Sequence, residues 1–296
     1  MANTEVVVPI LFRHAPGDYE QAGTGFIVAA MGRHALVVTA GHVLEAICHR
    51  TRKPVARTLF CDGSEDKKFV IASDEHEIVI VIQNANATFY AEAFDSWGSK
   101  AHDIALLNVN IPEGLGSLIN KQFAINPGGP KLGEEVHVFG YFEGQDTSSE
   151  IIPPGFDGIL KHLMGDLPRQ FIAKISSQKG RVVKDYPDGT GLVRSPCFVV
   201  DVPFNSGMSG GVVFQVIGGR LVACGLMSND EGQSSADLTG TGGHAVVAKL
   251  APLFIMELGI EGRPPFTYTN PSLPETTINT LRDLSDLGVI EVVMQA

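Results

Sequence analysis

Gly207-Met208-Ser209-Gly210-Gly211, running into the apolar residues 212–214, decides how this chain is read. One serine stands among three glycines at the start of an apolar run. A serine held this way can expose its hydroxyl, and its small neighbours leave backbone N–H groups open to a reacting group. Acyl transfer needs that pair: a nucleophile, and donors for the oxyanion that develops. Alone, the string also describes a small residue in a tight glycine turn. Two further strings change its weight. Thr39-Ala40-Gly41-His42 follows the apolar residues 35–38, and His102-Asp103 opens the run Ile104-Ala105-Leu106-Leu107.

Outward from these strings the chain reads as short strands. Candidate strands lie at 6–12 (with Pro9 as an edge proline), 25–30, 35–39, 69–71, 78–82, 89–93 and 104–109. A second series lies at 135–141, 171–176, 180–183, 198–202, 212–216, 221–226 and 245–248. Residues 42–47 read as one short helical turn after the histidine string. Gly 33 and Pro 17 in 296 residues supply the frequent turns of an all-β barrel or sandwich. The proline- and glycine-rich residues 110–130 form the best connector between two halves. Residues 143–169 are long, polar and turn-rich, a length usually kept for function. Residues 261–296 differ again: a proline-rich linker, then a helix over 276–287 with Ile278, Leu281, Leu284 and Leu287 on one face, Gly288 as its stop, and a strand at 289–294.

Composition excludes several classes. A net charge of -11 argues against a general nucleic-acid surface. The basic residues His49, Arg50, Arg52, Lys53 and Arg57 read as a solvated loop, or else as a docking patch for an acidic partner. No run of eighteen apolar residues exists, so no membrane span is expected. Residues 1–12 lack a basic, signal-type start. Cys48, Cys61, Cys197 and Cys224 have no C-x-x-C spacing, so no metal or redox site is expected. They read as buried thiols of a reducing, cytoplasmic compartment, with a Cys197–Cys224 bridge as the minority alternative. Neither a phosphate-binding loop nor a dinucleotide fingerprint is present, and the chemistry suggested needs no cofactor.

Together the three strings resemble the trypsin-like serine peptidases, whose order along the chain is His, Asp, Ser. Gly23-Thr24-Gly25-Phe26, a glycine turn leading towards the histidine, belongs to the same resemblance. It covers about residues 20–250 and implies two six-stranded antiparallel β-barrels of the chymotrypsin type. Residues 1–118 would form the first and carry His42 and Asp103. Residues 119–260 would form the second and carry Ser209, with 261–296 as a short C-terminal α/β extension. The implied activity is a serine endopeptidase working through an acyl-enzyme on a protein or peptide substrate. Ser209 would be nucleophile, His42 general base, Asp103 its orienter, and the N–H groups of Gly207 and Ser209 the oxyanion hole.

Departures from the pattern are informative. Zymogen-activated relatives place an aspartate before the serine and start with Ile-Val-Gly-Gly; here Met208 stands there and that start is missing. The secreted members' cysteine after the histidine is Val43 here. In these respects the chain resembles the high-temperature-requirement peptidases, which switch by loop rearrangement. Residues 143–169 could serve that role in a regulated intracellular protease gated by an activating partner. By family register Pro203, Met227, Ser228 and His244 would bind substrate, with Ser228 on the strand that pairs with it. Pro203 replaces the aspartate that selects basic side chains; Leu226 and Met227 suggest an apolar pocket, while Asp230 and His244 complicate it. His102 reads as an ordinary exposed strand residue. Two rival readings follow from the same residues. Gly-x-Ser-x-Gly is also the nucleophile elbow of α/β-hydrolases, with His244 and Asp230 or Asp237 completing an esterase triad. A non-catalytic binding module on a peptidase scaffold is the other.

Overall fold

The computed structural model describes residues 6–15, 18–31, 33–51, 55–59, 65–69, 78–83, 88–111, 124–142, 174–231, 243–258, 267–268 and 276–294. The first apolar runs form β1 (Val7–Ala15), β2 (Asp18–Met31) and β3 (His34–Ala40), followed by α1 (Gly41–Thr51). A hairpin of β4 (Val55–Leu59) and β5 (Glu65–Phe69) precedes β6 (Ile78–Gln83), β7 (Thr88–Ser99) and β8 (Ile104–Asn110). Strands β1-β2-β3-β8-β7-β6 close into a barrel, with Ile10 opposite Ile80 at the seam. Every residue of β3 but His34, and of β8 but Asn110, is buried. A strand covered on both faces needs an unbroken apolar run, which explains why 35–38 and 104–107 show no alternation.

The second half builds β9 (Ala124–Ile125), β10 (Glu135–Phe142), β11 (Lys174–Tyr186), β12 (Cys197–Val200), β13 (Val212–Ile217), β14 (Arg220–Asp230) and β15 (Ala245–Ala248). Strands β13-β10-β11-β12-β15-β14 form a ring, closed by antiparallel pairing of β13 with β14. β9 adds outside the ring, parallel to β14 at Val222 and Ala223. Val136, Val138, Phe198, Val200, Val213 and Val247 fill its interior and are fully buried. The architecture is therefore all-β: two six-stranded antiparallel barrels with few helices, the chymotrypsin-like fold.

Several local expectations are corrected. Pro9 is not on an edge: β1 pairs on both sides, and the proline is tolerated because pairing with β6 begins only at Ile10. Of the strand expected at 69–71, residues 70–71 lie outside the described residues, and β5 ends at Phe69. The separate strands expected at 171–176 and 180–183 are one, β11, which passes through Gly180 without a break; 171–173 lie outside the described residues. β7 and β14 both run past their expected ends, to Ser99 and Asp230. The helical turn at 42–47 is a full helix, α1. The basic cluster at 49–57 has no described side chains, and 143–169 lie outside the described residues. No helix among the described residues is long and apolar enough to cross a membrane.

The C-terminal residues pack on this core. β16 (Thr267–Tyr268) pairs with β17 (Thr276–Thr277), and α2 spans only Leu281–Asp286. It starts late because Asp283 accepts the N–H groups of Asn279 (2.7 Å) and Thr280 (2.9 Å), a cap that holds the preceding residues extended. Residues 289–294 form no strand; Val292 makes a single bridge to Ile125. There Ile125 donates to Glu291 O and Val293 donates to Ile125 O, both at 2.8 Å. Ile278, Leu281, Leu284 and Ile290 are buried in one cluster with Leu250, Leu253 and Met256. Leu284→Ala is therefore expected to lower the unfolding free energy by about 2–5 kcal/mol. Equilibrium denaturation checks this; an unchanged midpoint would mean that α2 is an independent appendage.

Candidate active site

His42 is the second residue of α1, at the end of β3. Its backbone N–H donates to Asp103 Oδ1 (2.8 Å), and its Nδ1 lies 3.0 Å from both carboxylate oxygens. An ionised carboxylate only accepts, so Nδ1 carries the proton and Nε2 is left as acceptor. Ser209 Oγ lies 2.8 Å from that Nε2 and donates to it. The serine comes from the turn before β13, so the pair forms across the two barrels.

Asp103 does not sit on the strand it introduces. It occupies a turn with φ +50°, the left-handed region that a non-glycine residue rarely adopts. Aspartate tolerates that region better than most, and the contacts of its carboxylate hold it there. Ser228 Oγ donates to Asp103 Oδ2, a bond that sequence reasoning missed. Asp103 is 3% exposed. Three donors thus compensate a buried carboxylate in place of water. His102 lies in the same turn and is half-buried, not an exposed strand residue; its Nδ1 lies 2.8 Å from Ser99 Oγ.

The turn that carries Ser209 is fixed by glycine. Met208 N–H donates to Asn205 O at 3.1 Å, closing a four-residue turn. Gly207, its third residue, has φ +86°, while Ser206 is not in the left-handed region. That combination defines a type II turn, which calls for glycine at this place. Gly210 N–H donates to Met227 O, Met227 N–H to Gly211 O and Gly211 N–H to Met208 O, each at 2.8 Å. A Cβ on Gly210 would lie 1.9 Å from Thr24 O, so only glycine lets the turn meet β2 backbone to backbone. The N–H groups of Gly207 and Ser209 have no partner among the described residues.

The substrate-binding expectations fare unevenly. Met227 is corrected: its side chain is fully buried inside the second barrel, and its backbone is bonded to Gly210 and Gly211. Leu226 is likewise fully buried, so neither residue supplies an apolar pocket wall. Ser228 is buried with its hydroxyl on Asp103; its carbonyl lies 3.4 Å from Ser209 Oγ. Pro203 is exposed beyond β12, and His244 is exposed before β15. Pairing of Val200 and Asp230 with Ala245 brings Pro203, Asp230 and His244 to one end of the second barrel. Asp230 Oδ2 accepts the N–H of Gly243 at 3.1 Å. His244 Nδ1 is 3.7 Å from Glu231 and not on Ser209. The esterase reading falls with this: the fold is not α/β, and the serine is bonded to His42.

Electrostatics suit the arrangement. Burial alone would push the His42 imidazole down. The Asp103 charge and hydrogen bond, helped by the charge of Glu45, outweigh it and raise its pKa above 6.5. Met208 is fully buried among Phe204, Val213 and other core residues, so no charge precedes the serine. Cys197 and Cys224 are free and buried, not bridged; burial pushes the Cys197 thiol up to about 11 and raises Cys224 as well. Such thiols are poor nucleophiles.

Two antiparallel barrels with Ser209, His42 and Asp103 joined in series across them define a chymotrypsin-like serine protease. The model of the trypsin-like peptidase domain matches residues 23–223, and the chain belongs to that family. Among solved structures the chain is similar to a thermostable serine protease, AL20, from an extremophilic microorganism. The two share 15% identity over 84% of this chain and 92% of that one, with a TM-score of 0.44. No curated protein matches the chain.

Proposed function

We propose that this protease cleaves peptide bonds with Ser209, His42 and Asp103 as a catalytic triad. The observation that carries the reading is the unbroken series of bonds from Asp103 through His42 to Ser209 Oγ. Ser209 Oγ attacks the peptide carbonyl carbon as His42 Nε2 takes its proton. The tetrahedral oxyanion is held by the N–H groups of Gly207 and Ser209. The imidazolium, stabilised by Asp103, returns the proton to the leaving amine as the C–N bond breaks. Water repeats the sequence on the acyl-enzyme, releasing the acid and restoring Ser209. The substrate is a protein or peptide segment laid along β14 beyond Ser228 in the manner of an added strand, with Pro203 and His244 beside it.

The buried Met208 supports a site that needs no new N-terminus to order it. The free thiols Cys197 and Cys224 support work in a reducing compartment, the cytoplasm. The assembled turn and triad support a site competent on its own. The activating partner expected from residues 143–169 rests on residues outside those described.

Intact-mass analysis with a fluorophosphonate probe tests the proposal. The wild-type chain is expected to gain one adduct, and Ser209→Ala and His42→Ala none. An adduct on Ser209→Ala, or none on the wild type, would overturn it.

A further inference from the structure

Thr24 is fully buried in β2 of the first barrel, yet its polar groups serve the nucleophile turn of the second. Its N–H donates to Ser209 O at 2.7 Å. Its hydroxyl donates to Gly207 O at 2.8 Å, with the carbonyl of Tyr141 a longer alternative at 3.2 Å. A hydroxyl has one proton, and the shorter contact takes it. Gln21 Nε2, at 3.5 Å from Gly207 O, is too distant to replace that bond. Thr24 is itself immobilised: Tyr141 N–H donates to its Oγ1 (2.8 Å), and Thr39 Oγ1 donates to its carbonyl (2.7 Å). Pro9 lies opposite it on β1 and has no N–H to contribute to the ladder.

These bonds bear on chemistry because of where the two carbonyls lie. They belong to Gly207 and Ser209, the same residues whose N–H groups have no partner among the described residues. Each peptide unit is planar, so fixing the Gly207 carbonyl on Thr24 and the Met208 N–H on Asn205 holds the whole plane between Gly207 and Met208, next to both donors. A type I turn could also close over residues 205–208, with the peptide between Ser206 and Gly207 flipped. That flip would put the Ser206 carbonyl in place of the Gly207 N–H. Thr39 lies three residues before His42 on the way out of β3, so the same residue that sets the turn is tied to the strand that delivers the base.

We propose that Thr24 is a positioning residue, whose hydroxyl holds the 207–209 turn in the conformation that aims the Gly207 and Ser209 N–H groups at the oxyanion. This rests on the catalytic reading of Ser209. Thr24→Val keeps the shape and the backbone N–H and deletes the hydroxyl. With fluorescently labelled casein, kcat is expected to fall about 10–10²-fold, approaching the loss of one oxyanion donor, with KM within about twofold. The rate of fluorophosphonate labelling should fall in parallel. The low-field proton resonance of His42 Nδ1 should be unchanged, because the His42–Asp103 pair is untouched. Thr24→Ser should restore kcat to within about threefold of wild type. Thr24→Ala supplies the same deletion if valine is not accommodated, and thermal melts confirm that the compared variants are folded at the assay temperature. Wild-type kcat in the folded deletion variants would overturn the inference, as would a serine variant no better than valine. A wild-type chain that neither labels nor cleaves casein would instead overturn the catalytic reading, and this inference with it.

Discussion

Ser209→Ala is expected to lower kcat on labelled casein by about 10⁶-fold, the scale on which serine nucleophiles are lost. The residual rate would come from the oxyanion donors and from substrate binding, which the substitution leaves in place. The fold should survive, since among the described residues Ser209 Oγ bonds His42 Nε2, with the Ser228 carbonyl a longer alternative, and no core contact depends on it. Adding His42→Ala should cost almost nothing further, because the pair acts as one unit in a single proton transfer. Steady-state hydrolysis by Ser209→Ala, His42→Ala and the double variant decides it. A Ser209→Ala variant that retains activity within tenfold of wild type would remove Ser209 from the chemistry.

Asp103→Asn is the second large effect. Asparagine fits the left-handed φ of +50° as aspartate does, so the turn should hold. What changes is the proton inventory around the ring. The carboxylate accepts from His42 N–H, His42 Nδ1 and Ser228 Oγ; an amide cannot accept all three and offers donors of its own. The imidazole then favours the wrong tautomer, and kcat should fall by about 10⁴-fold. The pH profile supplies a signed check. Catalysis needs neutral His42, so the acid limb of kcat/KM should rise through a pKa above 6.5 in the wild type. Removing the Asp103 charge leaves burial opposed only by Glu45, so the variant's acid limb should move to lower pH. A limb that stays in place would mean that Asp103 does not set the charge state of His42.

Much of this was legible because the decisive features are local. Gly207, Ser209 and Gly210 mark a turn whose backbone only glycine permits, and Asp103 stands directly before a doubly buried strand. The apolar runs of β3 and β8 marked both as strands; that both faces of each are covered shows only in the fold. What was hidden depends on partners far along the chain. Nothing near Ser228 says that its hydroxyl will reach a carboxylate 125 residues away. Met227 sits next to Ser228, and a strand's alternation sends the two side chains to opposite faces, so a pocket assigned by register placed Met227 where the core claims it. The left-handed φ of Asp103 has no sequence mark, because the strain is held by tertiary bonds. The late start of α2 was readable in principle from the Thr280–Asp283 spacing, but the apolar period of Ile278 and Leu281 masked it.

The division of the triad between barrels also bears on how such a chain survives its own making. An unfolded copy of this protein is a polypeptide of the kind a peptidase consumes. Ser209 belongs to one barrel and His42 to the other, so under the proposed mechanism neither half hydrolyses anything until both have folded and met. Cutting power is thus withheld from the stage at which the molecule would be its own nearest victim.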